Sequence, residues 1–289
     1  MRSNSLVIAV ANNKGGVGKT STAINLCCAF AGTRRKVLLI DLDPQGSATV
    51  SILRDRPSSF ISSGNALIDG SSLVPCIKPY RTGKFDLIPA SDDLTAFCIR
   101  ADNEHGREQR LAEALRPLRQ IYDVLIIDCP PALNLLTINA LCAADELIIP
   151  TTCDYFAVEG LGSLMRLFES LKRRGLSRVH LMGIVRTIYT QGEPLSQKIA
   201  ADLKSNMGTM LFNTIIPFCS QVSEAPSTGR PVILYDRTCI GSRAYLSLAG
   251  EILSRITARQ ADAQAIAAAD AATATPLQGD AMPAPSRQA

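Results

Sequence analysis

The chain has 289 residues, 46% of them hydrophobic and 19% charged: enough apolar material for one large core or two small ones, and too much for a mostly disordered chain. It has no tryptophan and only 5% aromatic residues, which argues against a surface built from rows of base-stacking rings. A formal charge of +4 permits an anionic partner without requiring one.

The start, Met1-Arg2-Ser3-Asn4-Ser5, leads straight into Leu6–Ala11, an apolar run too short for a signal peptide's core and cleavage site. No stretch of 18 apolar residues follows, so a cytoplasmic protein is expected. After the first run come a glycine-rich loop and a helical pattern over Lys19–Ala31, then a second run at Val37–Ile40. Further runs are Phe85–Pro89, Val124–Ile127, Glu146–Pro150 and His180–Val185. Helical patterns at Arg107–Arg119, Leu135–Ala143, Val158–Arg174, Pro194–Asn206 and Ser242–Ala258 lie between or after them. Continuous apolar runs suit strands buried on both faces, and strand alternating with helix predicts an α/β fold, a doubly wound, mostly parallel sheet flanked by helices. No internal repeat is visible. From Ala258 the composition shifts: thirteen of the last 32 residues are alanine, with Pro276, Pro283 and Pro285 among polar filler. The expected organisation is one domain over residues 1–257 and a disordered tail over 258–289, the start of which can extend the last helix.

Nine cysteines, at 27, 28, 76, 98, 129, 142, 153, 219 and 239, form no Cys-x-x-Cys pair. With only His105 and His180 beside them, neither a disulfide framework nor a zinc site is indicated, and buried thiols in a reducing compartment are expected.

The strongest motif is Asn12-Asn13-Lys14-Gly15-Gly16-Val17-Gly18-Lys19-Thr20-Ser21, set between a strand and a helix as a P-loop must be. Its glycines let backbone N–H groups approach phosphate oxygens, and the helix beginning near Lys19 adds its positive end. Lys19 can bridge a β- and γ-phosphate, and Thr20 can offer a hydroxyl to Mg²⁺. Asn13 stands where the strict motif has glycine, and Lys14 places a second cation inside the loop. Two such cations repel unless a dense negative charge lies between them.

The segment resembles the ParA/MinD group of P-loop ATPases, whose deviant Walker A motif is Lys-Gly-Gly-x-Gly-Lys-Thr/Ser. The resemblance implies ATP and Mg²⁺ as ligands, with Lys14 to Ser21 around the phosphates and an ATP-sandwich homodimer in which Lys14 reaches the partner's nucleotide. Val37-Leu38-Leu39-Ile40-Asp41-Leu42-Asp43-Pro44-Gln45-Gly46 is similar to the group's second nucleotide motif. By that similarity Asp43 orients the attacking water and Asp41 supports the metal shell. Tyr122 to Pro131 resembles Walker B, so Asp128 would hold Mg²⁺ through water, beside Thr20. The likeness continues through Asp154-Tyr155-Phe156-Ala157-Val158-Glu159-Gly160-Leu161, Ile215-Ile216-Pro217, Ser223 to Ser227 and Gly229 to Val232. It therefore covers residues 6 to 257, and it implies that Pro217 helps enclose the adenine.

Within that group the redox branch is set aside, because Cys129 and Cys153 do not occur in its motifs. Membrane binding is not expected, since the Ala-rich tail lacks the bulky apolar face of an interfacial helix. Between Gly160 and Ile240 stand ten basic residues (Arg166, Lys172, Arg173, Arg174, Arg178, Arg186, Lys198, Lys204, Arg230 and Arg237) against five acids. That local excess suits sequence-independent contact with DNA phosphates. Relatives usually carry arginines after Ile-Pro, where this chain has Phe218 and Gln221. Because the first strand begins at Leu6, an N-terminal helix-turn-helix domain, and with it sequence-specific DNA recognition, is not expected. The resemblance implies a nucleoid-associated DNA-segregation ATPase, stimulated by a ParB-like partner, that moves or positions a chromosome, plasmid or other cargo. Two alternatives stand beside it: a positioning or regulatory ATPase acting mainly through protein contacts, and a nucleotide-gated dimer without turnover.

Overall fold

A computed structural model describes residues 5–54, 62–101 and 104–273. The elements in chain order are β1 (Leu6–Val10), α1 (Lys19–Gly32), β2 (Val37–Asp41), α2 (Ser47–Leu53), α3 (Ser63–Asp69), β3 (Lys78–Tyr80), β4 (Phe85–Ile88), α4 (Asp93–Arg100), α5 (Arg110–Leu115) and β5 (Val124–Asp128). They continue with α6 (Leu135–Ala143), β6 (Glu146–Thr152), α7 (Tyr155–Arg173), β7 (His180–Tyr189), α8 (Pro194–Met207), β8 (Leu211–Pro217), α9 (Ser220–Glu224), α10 (Val232–Tyr235) and α11 (Ile240–Thr273). The chain divides into two compact units, residues 1–251 and 252–289. The first holds the whole sheet. The described part of the second is the C-terminal stretch of α11.

The sheet has eight strands in the order β3-β4-β2-β5-β1-β6-β7-β8, all parallel except β3 against β4. Strand β1 is flanked by β5 and β6, so the chain leaves it toward opposite sides of the sheet, and the crevice at its carboxyl end is where a doubly wound fold receives ligands. Period-two alternation sorts each strand's side chains between the two faces. Val7, Ala9, Leu38, Ile40, Leu125 and Ile127 join one core with α3 to α8. The alternate residues Ile8, Val10, Leu39 and Ile126 face the side covered by α1. Asp41 and Asp128 share that second set, and they are direct partners in the β2–β5 register.

Both sheet edges are short of the apolar runs that mark the central strands. In β8, Leu-Phe-Asn-Thr-Ile-Ile-Pro, the Asn213-Thr214 pair interrupts the run because this edge meets α11 through polar groups. Glu251 accepts hydrogen bonds from the backbone N–H of Asn213 (2.8 Å) and Thr214 (2.9 Å) and from the Thr214 hydroxyl (2.8 Å). At the other edge, β3 is three residues long and its central Pro79 has no N–H. The helix expected over Arg107–Arg119 is broken into α5 and two 3₁₀ turns, the second starting just after Pro117. The last helix runs to Thr273, beyond the boundary expected at 257, as its alanines favour. The rest of the tail, 274–289, lies outside the described residues, as do residues 1–4. All nine cysteines are free and six are buried. No described helix is long and apolar enough to cross a membrane.

Candidate functional site

The loop between β1 and α1 is fixed from both sides. Asn12, almost fully buried, donates from Nδ2 to the Pro150 carbonyl (2.7 Å) and accepts from the Lys14 N–H (3.0 Å). The Thr187 hydroxyl, from β7, donates to the Val17 carbonyl (2.8 Å). Gly16 (φ 73°) and Gly18 (φ 81°) take the left-handed conformation that turns successive N–H groups inward. Gly18 caps α1, whose first turn carries neither a side-chain cap nor an acid, so its free N–H groups form an anion site. On the far side, α7 approaches so closely at Gly160 that a Cβ there would stand 2.7 Å from Asn13 Oδ1. That is why the Glu-Gly-Leu segment carries a glycine.

The loop opens onto a cavity of about 600 Å³ lined by Gly15, Gly16, Gly18, Lys19, Thr20, Ser21 and Asp43 at one end. Its other end is lined by Ile188, Ile216, Pro217, Phe218, Val222 and Tyr245. Charge thus collects at one end and apolar surface at the other. Lys19 is buried and donates to the Lys14 carbonyl (2.8 Å). Burial lowers its pKa, while Asp128, Cys129 and Asp43 act in the opposite sense.

The carboxylates behind the loop differ in what holds them. Asp128 is fully buried, and neither oxygen completes a hydrogen bond in the chain. Burial, then the neighbouring Asp41, push its pKa up; the Thr20 hydroxyl and Lys19 pull it back. Asp41, expected in a metal shell, turns its oxygens to the chain itself. Oδ2 accepts from the Thr49 N–H and hydroxyl (both 2.7 Å), and Oδ1 accepts from the Asp43 N–H (3.1 Å). Its pKa rises to about 6, chiefly through burial. Thr49 also accepts from the Ala90 N–H (2.9 Å), so Asp41 anchors the start of α2 and the turn that presents Asp43. Asp43 is buried at the cavity wall, where Oδ1 accepts from the Gln45 N–H (3.0 Å) and the Gly46 N–H bonds its carbonyl (2.7 Å).

No cluster of three or more metal-binding side chains occurs among the described residues. The donor set instead suits a hard cation held by few protein ligands and several waters. The orphaned carboxylate of Asp128 beside the Thr20 hydroxyl is such a place, and Mg²⁺ fits it.

Lys14 is the displaced member. It does not line the cavity; its ammonium is paired with Asp154 and lies 3.5 Å from the Thr152 hydroxyl, which itself donates to Asp154 (2.7 Å). Both partners are partly exposed, so the pair is worth at most about 1 kcal/mol and is easily exchanged for a denser anion. The ten basic residues do not form one patch. Those of α7 and α8 stand on the face shared with α5 and α6, whereas Arg230 and Arg237 flank α10, which packs on α1. Arg186 is half-buried and donates to the Phe212 carbonyl (3.1 Å).

Residues 5–181 match the family model described as an AAA domain. Over 259 residues the chain is 42% identical to the chromosome partitioning protein ParA of Caulobacter vibrioides, covering 89% of this chain and 97% of that one. It is 37% identical over 246 residues to the sporulation initiation inhibitor protein Soj of Bacillus subtilis, covering 85% and 97%. Among solved structures it is similar to cobyrinic acid a,c-diamide synthase from Mycobacterium smegmatis, crystallised with ADP and magnesium. That likeness has a TM-score of 0.76 and 30% identity, and covers 88% of this chain and 96% of the other.

Proposed function

The chain belongs to the ParA/MinD group of P-loop ATPases, and from that premise we propose that it is a partition ATPase whose nucleotide state switches it between monomer and DNA-bound homodimer. The observation that carries the reading is the charged end of the cavity. There Lys19, Thr20 and the unpaired Asp128 converge beneath a glycine loop and a helix N-terminus.

In this reading the loop N–H groups of Gly15 to Ser21 and the Lys19 ammonium hold the β- and γ-phosphates of ATP. Thr20 and Asp128 would hold Mg²⁺, which when bound neutralises charge on the same phosphate oxygens. Asp43, fixed by the Asp41–Thr49 anchor, orients the attacking water in line with the γ-phosphate. Lys14 exchanges Asp154 for the partner's triphosphate, so that charge developing in the transition state meets a cation from each subunit. Pro217 lies at the apolar end, where the adenine would sit. Closing the dimer joins the basic faces of two copies into a surface for nonspecific DNA, and a DNA-bound ParB-like protein stimulates hydrolysis and release. A second reading, positioning of a cargo through protein contacts, draws support from the exposed Phe218 and from cations divided between two faces.

The test is the mass in solution with a non-hydrolysable ATP analogue and Mg²⁺. A dimer that forms with wild type and is lost with Lys19→Ala is expected; a wild-type monomer at saturating ligand refutes the switch. Retention on DNA that depends on nucleotide and falls with salt separates the first reading from the second.

A further inference from the structure

We infer that Phe218 and Ile188 are a pair of apolar jaws that grip the base of the bound nucleotide, so that this chain holds the base by stacking and contact. The proposal rests on the reading of the charged end as a phosphate site, and it assigns roles to two residues that no motif marks.

Large apolar side chains exposed on a folded protein call for an occupant when they line a cavity together. Phe218 is 58% exposed and Ile188 43% exposed, and both line the cavity at the end opposite Lys19. They come from adjacent strand ends: Tyr189 pairs with Pro217, and the Phe218 N–H donates to the Tyr189 carbonyl (2.9 Å). The two residues are therefore held across one strand junction and present their side chains to the same space.

Ile188 has a second peculiarity. Its φ is +52°, a left-handed conformation that β-branched residues avoid, at a point where the β7–β8 register is irregular. Such strain persists only where the surroundings impose it, and it concentrates at ligand sites. Its neighbour Thr187 is the residue pinned to the Val17 carbonyl of the phosphate loop. The left-handed turn at Ile188 thus follows directly from the residue tied to the loop, and its side chain stands on the cavity wall.

The polar groups at this end are engaged elsewhere. The Thr187 hydroxyl bonds Val17, the Phe218 N–H bonds Tyr189, Pro217 has no N–H, and the Cys219 thiol donates to Gln221 Oε1 (3.0 Å). What remains is a largely apolar slot, which suits the flat faces of a purine.

The experiment compares ADP–Mg²⁺ with pyrophosphate–Mg²⁺ by calorimetry; pyrophosphate has the phosphates without the base. Phe218→Ala is expected to weaken ADP about 5- to 100-fold, the range for loss of one aromatic stack, and to leave pyrophosphate unchanged. Phe218→Trp should keep ADP affinity. It also places a single fluorophore in a chain that has no tryptophan, and its emission should respond to ADP and not to pyrophosphate. Ile188→Gly should move two readouts in opposite directions: higher thermal stability, because glycine accepts the positive φ, and weaker ADP binding. Unchanged ADP affinity in Phe218→Ala overturns the jaws; if Lys19→Ala loses both ligands in the same series, the phosphate reading survives that failure. Should Lys19→Ala keep both ligands, the phosphate reading fails, and the jaws with it.

Discussion

Replacing Asp128 with asparagine should make the ligand-free protein more stable while removing its response to Mg²⁺. Asp41 and Asp128 are register partners on adjacent strands, which lie about 4.8 Å apart. Two full charges at that separation repel by roughly 3 kcal/mol at an effective dielectric near 20. Lys19 and Thr20 offset part of this at Asp128, and three hydrogen bonds offset part of it at Asp41. A net gain of about 2 kcal/mol for Asp128→Asn at pH 7 follows, or roughly 4–8 °C in Tm for a unit of this size. The pH dependence has a definite sign. Both carboxyls have folded pKa values above the unfolded value of about 4, Asp41 at about 6 and Asp128 also raised. The fold therefore binds these protons more readily than the unfolded chain, so wild type gains stability as pH falls from 7 toward 4. The advantage of Asp128→Asn should accordingly shrink at pH 5.

The assay is urea or thermal denaturation at both pH values, without ligand and then with ADP with and without Mg²⁺. Wild type should gain about 2.7 kcal/mol at a ligand concentration 100 times Kd, part of it only when Mg²⁺ is present. The variant should lose that Mg²⁺-dependent part. An Asp128→Asn protein less stable than wild type at pH 7 in the absence of ligand would refute the reasoning, because the carboxylate would then be satisfied by its surroundings.

Three other substitutions probe the remaining parts. Lys14→Ala should bind nucleotide as wild type yet lose ATPase activity by 100-fold or more, whereas Asp154→Ala should keep that activity; steady-state phosphate release measures both. In Asp43→Ala, turnover should fall by a similar factor while the ATP-bound dimer accumulates, as read by size-exclusion chromatography. Gly160→Ala removes a glycine from a helix, a gain of up to about 1 kcal/mol, but displaces Asn13; Tm should stay within a few degrees while ADP affinity drops several-fold in calorimetry.

The central strands were legible because burial on both faces writes them as unbroken apolar runs, and the phosphate loop because its chemistry is local. The edges were not. Asn213 and Thr214 interrupt β8 because their backbone meets a carboxylate 37 or 38 residues away, and Pro79 disguises β3. The contacts that set the site's geometry are equally distant along the chain: Thr187 reaches the loop across 170 residues and Asp154 across 140. Motif reading placed Asp41, Asp43 and Asp128 at the right end of the sheet. It could not see that Asp41 points into the chain, since Thr49 and Ala90 are brought to it only by folding. The short helices α2 to α4 escaped because each is eight residues or fewer, too brief for a period to declare itself.

Glu251 bears on how this protein can assemble. A parallel sheet with an open rim is a template onto which any extended chain can add a strand, and such growth has no natural stop. Here the carboxylate seals two of the N–H groups that an incoming strand would need, while a proline and a three-residue strand blunt the opposite rim. Lateral extension by backbone pairing is thereby discouraged, which leaves association to side-chain surfaces that a small ligand can make or break.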